Sequence, residues 1–186
     1  MWVTRRRHGV PAGAVAFPYA RGQAVMMYAF AFVCVVESAG MWVLLRGLPV
    51  VHAIVLVLDV YTVLTVLGLH AAAVTRPHVV TADALRVRRG AHVDLRIPFE
   101  LIARVRRESR FTHTPADGEL DLDVGAQTGM TIELTEPVGH LTYFGRRRDV
   151  RVVRLFAEDT DALDRALADA LTRARTAPSP VPDRPA

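Results

Sequence analysis

The chain contains no lysine and only one cysteine. All 23 basic side chains are therefore arginine, set against 19 acids for a formal charge of +4 and a pI near 10.0. Cys34 lies inside an apolar stretch, which excludes an internal disulfide, a CxxC redox pair and a cysteine-based zinc cluster. A glycine-rich phosphate loop, a GxSxG elbow, an HExxH pair and the kinase signatures are also missing. Asp117, Glu119, Asp121 and Asp123 alternate as calcium-loop ligands do, without the glycine and distal glutamate such a loop needs. His52 and His70 would lie about 27 Å apart on one helix, too far to share a metal or haem. His78, His92, His113 and His140 stand alone on strands or loops. The expectation is a non-enzymatic protein with no metal and no cofactor.

What the chain has in quantity is apolar residues, 51% of the total, with a mean hydropathy of +0.22. They concentrate in two runs, Ala24 to Leu45 and Val50 to Val74, each long enough to cross a hydrocarbon core of about 30 Å as a helix. Only Arg46, Gly47, Leu48 and Pro49 separate them, so the two runs are expected to form a tight transmembrane hairpin over 24–75. A cleaved signal peptide is the competing reading of the first run. Glu37 within it and the lack of a small-x-small site after it count against cleavage. Arg5, Arg6, Arg7 and Arg21 precede the first run, Arg76, Arg86, Arg88 and Arg89 follow the second, and Arg46 alone lies between. The positive-inside rule then puts both termini in the cytoplasm of a multi-pass plasma-membrane protein, with 1–23 as a basic cytoplasmic segment. Tyr28 and Trp42, near opposite ends of the first run, suit the two interfaces.

Glu37 and Asp59 interrupt the two runs at a shared depth, roughly 12 to 14 Å below the outer rim at 1.5 Å per residue. An ionisable group there costs roughly 2.5 to 3.5 kcal/mol on the insertion scale. Two readings stand. In one, the acids trade a proton along a stripe that His52, Asp59 and Thr62 extend on one helix face. In the other, which is favoured, they are packing groups bonded to Ser38, Tyr61, Thr62 or a second copy, because two helices alone enclose no pathway.

After Arg76 the period changes. Leu85 and Val87 alternate with Arg86 and Arg88, Val93, Leu95 and Ile97 with Asp94 and Arg96, and Met130, Ile132 and Leu134 with Thr131 and Glu133. These are half-buried antiparallel strands. Seven are expected: Val79 to Thr81, Leu85 to Arg89, Val93 to Ile97, Leu101 to Ser109, Leu120 to Val124, Met130 to Glu136 and Asp149 to Ala157. Then Leu163, Ala166, Leu167, Ala170, Leu171 and Ala174 form an apolar helical stripe, capped by Asp159 or Thr160 and ending in Arg173 and Arg175. The proline-rich residues 177–186 are expected to stay unfolded.

The run RPHVVTADALRVRRGAHVDLRIPFELIARVRR, with TIELTEP and RVVRLFAEDTDALDRAL after it, resembles the strands and closing helix of bacterial pleckstrin-homology-like (PH-like) domains. The preceding two-helix hairpin is similar to that of small actinobacterial membrane proteins of this kind. The resemblance implies an α+β domain over 76–176: a seven-stranded β-barrel or sandwich closed by a C-terminal α-helix, beside the α-helical membrane hairpin. It implies association or membrane-proximal assembly as the role, and no catalytic residues. Phosphoinositide recognition does not carry over, since the turn between the first two strands is only Ala82 to Ala84 and holds Asp83.

Charge in this domain is uneven. Arg104, Arg106 and Arg107 crowd one strand and Arg146, Arg147 and Arg148 one turn, while six acids and no arginine lie between Asp117 and Glu136. The arginines are expected either to meet anionic headgroups or a partner, or to be an ordinary solvated face. Nucleic acid is disfavoured because no aromatics interleave them. The preferred function is a binding or scaffold module held at the cytoplasmic face of the plasma membrane, with an unidentified protein or a second copy as partner. The alternative is a small oligomeric transporter or channel component using Glu37, Asp59 and His52.

Overall fold

The computed structural model describes residues 9–90, 92–111, 116–142 and 145–176. The arginines at 5–7, His113 and the tail at 177–186 lie outside the described residues.

Two helices dominate the N-terminal half, α1 (Arg21–Leu44) and α2 (Pro49–Thr75), of 24 and 27 residues. At 1.5 Å per residue they reach about 36 and 40 Å, and both are long and apolar enough to cross a membrane. They begin slightly earlier than the hydropathy runs, at Arg21 and Pro49. Pro49 is at the first helical position, where its missing N–H costs nothing. The hairpin turns over Trp42 and Arg46, whose guanidinium lies 4.7 Å from the indole ring. Cys34 is the one buried residue of α1 and His70 the one of α2, while Phe32, Val57 and Leu64 are each more than 60% exposed. Helices apolar all round with open surfaces suit a hydrocarbon solvent rather than water.

The remaining elements form two four-stranded sheets. The first is ordered β1 (Val15–Phe17), β2 (His78–Val80), β3 (Ala84–Arg89), β4 (Val93–Pro98). The second holds β5 (Ile102–Arg110), β6 (Glu119–Leu122), β7 (Thr128–Leu141) and β8 (Arg147–Leu155) in the order β5-β7-β8-β6. The sheets do not close into a barrel. Among the described residues there are eight strands rather than seven, because Val15, Ala16 and Phe17 pair with Val80, Val79 and His78. Val15–Phe17, before the first helix, thus complete a sheet whose other strands follow the second. The three alternating segments pair antiparallel as expected, while β6 runs parallel to β8. The expected stop at Glu136 fails: β7 continues past Pro137 through an irregularity between Glu133 and Val138, where a missing N–H is tolerated.

Inward residues of both sheets meet in one core that includes Phe17, Leu85, Ile97, Met130, Ile132 and Leu155. Helix α3 (Thr160–Thr176) lays Leu163, Leu167 and Ala170 on it. Each fully buried leucine contributes about 2 kcal/mol. Asp159 is the cap, its Oδ1 accepting the Ala162 N–H at 2.8 Å.

The domain meets the hairpin at the base of α1. Glu158 accepts the Arg21 N–H at 2.7 Å and donates its own N–H to the Pro18 carbonyl at 3.0 Å. Val124 packs beside Gly22, with Cγ1 3.8 Å from where a Cβ would stand.

Candidate functional site

Between Pro18 and the first turn of α1, Tyr19 is pulled into the domain, 2% exposed. Its hydroxyl accepts the N–H of Gly90, which turns β3 into β4 at φ +53°, and its ring lies 4.9 Å from that of His78. Burial raises the Tyr19 pKa, opposed by the Gly90 bond and by the fields of Arg89, Arg76 and Arg88.

His78 ties β2 to β3 and to the segment that follows β8. Its Nδ1 accepts the Arg88 N–H at 3.1 Å, which leaves Nε2 to carry the proton and donate to the Phe156 carbonyl at 3.0 Å. Full burial lowers its pKa to about 4, against the raising effect of the Phe156 carbonyl. The neighbouring Arg88 guanidinium is buried and donates to the Gly9 carbonyl at 3.1 Å and towards Asp94 at 3.4 Å. Desolvation lowers its pKa and Asp94 opposes the shift.

Above this cluster, between the foot of the hairpin and the domain, lies a cavity of about 460 Å³. Its apolar wall comes from Met27 of α1, Leu69 and Ala73 of α2, and Val93, Leu120 and Leu122 of the domain. Gln23, His70, Arg89, His92 and Asp121 add polar groups, with Tyr19 at one side. His70 is buried and meets Tyr28 edge-on, ring centroids 5.1 Å apart. Arg89 donates to Asp123 at 3.1 Å. Asp121 shares Arg154 with Glu119, at 3.0 Å and 2.8 Å. Hydrogen bonding to Arg154 first, and its charge after, lowers the Glu119 pKa, while the two acids raise that of Arg154. A second hollow at the far end of α3, beside Asp83, Glu100 and Arg175, does not touch the hairpin.

The structure gives Asp59 a partner in Ser38, whose hydroxyl lies 2.8 Å from Oδ2 and 2.9 Å from the Cys34 carbonyl. Its single proton serves one of them at a time. Glu37 is exposed and makes no hydrogen bond or ion pair among the described residues. His52 is half-buried, and Thr62 returns its hydroxyl to the Leu58 carbonyl on its own helix.

The arginines singled out by charge fall in two places. Arg104 is exposed on edge strand β5; Arg106 pairs with Glu133 at 3.2 Å and Arg107 with Asp161 at 2.5 Å. Arg146, Arg147 and Arg148 are exposed at the start of β8, with Arg148 3.5 Å from Asp117. The other end of β8, Leu155, pairs with Leu122 at the cavity, so this turn lies roughly 26 Å along the strand from the hairpin base.

In the sequence His70 pairs with nothing but the distant His52, His92 stands alone, Arg89 counts only towards orientation, and no motif marks Tyr19. The available signal was modest: a histidine near the C-terminal end of an apolar run, and a tyrosine between a proline and an apolar run. Among the described residues no three His, Cys, Asp or Glu side chains are grouped to hold a metal ion. The chain matches no protein family, no curated protein and no solved structure.

Proposed function

We propose that this is a non-enzymatic integral membrane protein whose hairpin holds a PH-like binding module against the cytoplasmic face of the plasma membrane, with both termini inside. The observation that carries the reading is the contrast between two helices bare of burial and a domain with its own closed core. Lipid is the solvent that satisfies the first, and cytoplasm the second. The two sheets and the capped closing helix support the likeness to PH-like domains. Strand β5, a nine-residue sheet edge whose side chains are mostly exposed, is where a partner's acidic strand would add. The bond from Ser38 to Asp59 favours packing over transport for the intramembrane acids.

The test has two readouts on the full chain. Leu48→Cys, in a Cys34→Ala background, is expected to react with an impermeant maleimide added outside intact cells, and Arg146→Cys only after lysis. Crosslinking from native membranes is expected to trap one recurrent protein partner, lost on charge reversal of Arg104 and Arg106. A chain that stays dissolved without detergent, or the opposite labelling pattern, overturns the reading.

A further inference from the structure

We infer that the cavity between the hairpin foot and the domain binds the phosphate headgroup and first carbons of one anionic phospholipid from the inner leaflet. This rests on the membrane reading above. Under it, the start of α1 and the end of α2 stand at headgroup depth, and the cavity is walled by both.

Three observations converge. The first is size: about 460 Å³ lies within the ~300–1,000 Å³ of small-molecule sites and matches a headgroup rather than a whole diacyl lipid. The second is division of the lining. Met27, Leu69 and Ala73 continue the apolar helix surfaces down into the cavity to meet Val93, Leu120 and Leu122 of the domain, while Gln23 and His70 from the helices and Arg89, His92 and Asp121 from the domain line the rest with polar groups. An amphiphile matches that arrangement, with its chain rising along the hairpin.

The third is charge. A guanidinium carries five N–H donors, and Arg89 commits Nη1 to Asp123, leaving its planar fork with donors for a phosphate. The nearby acids are ion-paired, Asp123 with Arg89, Asp94 with Arg86 and Arg88, and Glu119 and Asp121 with the single Arg154, so that four acids stand against four arginines. Arg76, at the end of α2, adds a positive charge with no ion pair among the described residues. The fields of Arg76, Arg88 and Arg89 all act on Tyr19 at the cavity wall.

The experiment uses full-length protein in an uncharged detergent and counts bound molecules by native mass spectrometry. The probes are dihexanoyl phosphatidylglycerol, dihexanoyl phosphatidylcholine and glycerol 3-phosphate. One phosphatidylglycerol per chain is expected, bound about tenfold more tightly than phosphatidylcholine, the difference a charge-assisted contact makes. Arg89→Gln is expected to remove that preference, and Leu69→Trp, which fills the cavity, to abolish binding of both lipids. Arg173→Gln, exposed on α3 and outside the cavity lining, is expected to leave both unchanged. Equal lipid binding by wild type, Arg89→Gln and Leu69→Trp overturns the site, as does glycerol 3-phosphate binding as tightly as the lipid. Those outcomes in a chain that needs detergent sink the site alone. A chain that dissolves without detergent sinks the membrane reading.

Discussion

Ser38 on α1 and Asp59 on α2 are joined by a 2.8 Å hydrogen bond across the interior of the hairpin. In hydrocarbon such a bond between helices contributes about 0.6 kcal/mol, enough to fix azimuth and register without dominating stability. Asp59→Asn keeps an acceptor for Ser38 and is expected to leave thermal stability in detergent unchanged. Ser38→Ala and Asp59→Leu are expected to lower the hairpin's stability by a few tenths to about 1 kcal/mol. Proteoliposomes of the native chain are expected to pass no proton current. A current abolished by Asp59→Asn would reverse the assignment in favour of transport.

The buried imidazole of His78 makes the domain sensitive to mild acid. Its folded pKa of about 4 lies below the ordinary value of 6.5, so the unfolded chain binds the proton more readily. Stability from this group is complete above about pH 6.5 and falls as pH drops towards 4, by roughly 3 kcal/mol in all. His140, lowered by desolvation and then by Arg148, has the same sign. The depressed carboxylates Asp94 and Glu119 lose their contribution lower still, below the ordinary carboxylate range, so the interval from pH 6.5 to about 4.5 reports on histidine. Urea melts at half-unit steps are expected to show the decline, and His78→Gln, which keeps a donor and an acceptor, to flatten most of it. An undiminished decline in that variant would move the effect to another group.

Parts of this molecule announce themselves along the chain. The stripe of Leu163, Leu167 and Ala170 has the helical period, Leu85, Val87, Leu95 and Ile97 have the strand period, and the two apolar runs exceed the thickness of a bilayer. Each signal is local, carried by residues a turn or a pleat apart. Strand β1 carries no such signal, because three residues show no period and Val15 becomes a strand residue only by pairing with Val80. The parallel course of β6 is hidden likewise, since it depends on β8, some thirty residues on. The shared level of Glu37 and Asp59 along the hairpin follows from counting residues, but azimuth does not. Consecutive helical residues point about 100° apart, and it is Ser38 that meets Asp59. The junction cavity draws Tyr19, His70, Arg89 and Asp121 from four separate segments, and only docking of the domain under the hairpin assembles them.

Arg154 bridges Glu119 and Asp121 from the adjoining parallel strand, with its side chain only 10% exposed. Removing it leaves two half-buried carboxylates side by side without a counter-charge. Breaking a fully buried pair costs about 3–5 kcal/mol, and partial exposure of both acids reduces this to roughly 2 kcal/mol for Arg154→Met. The triple change Arg154→Met, Glu119→Gln, Asp121→Asn removes the stranded charge and is expected to recover at least half of the loss in urea denaturation. If the triple variant is no better than the single one, lost packing of the arginine stem, not charge, is the cause.

The pairing of β1 with β2 decides how the domain must be cut. A fragment from Arg76 to Thr176 loses Phe17 from the core and Tyr19 from its place over His78, and bares the edge of β2. Deleting one large buried aromatic costs about 3–5 kcal/mol, a large share of a small domain's stability. An uncovered edge strand invites pairing with another chain. The fragment is expected to elute as mixed oligomers and to unfold at clearly lower urea. Joining residues 9–20 to Arg76 through a flexible glycine-serine linker in place of the helices is expected to restore a monomer with a sharp transition. Equal stability of the two fragments would mean that β1 is an adornment of the sheet, and that the domain's fold begins only after the second helix.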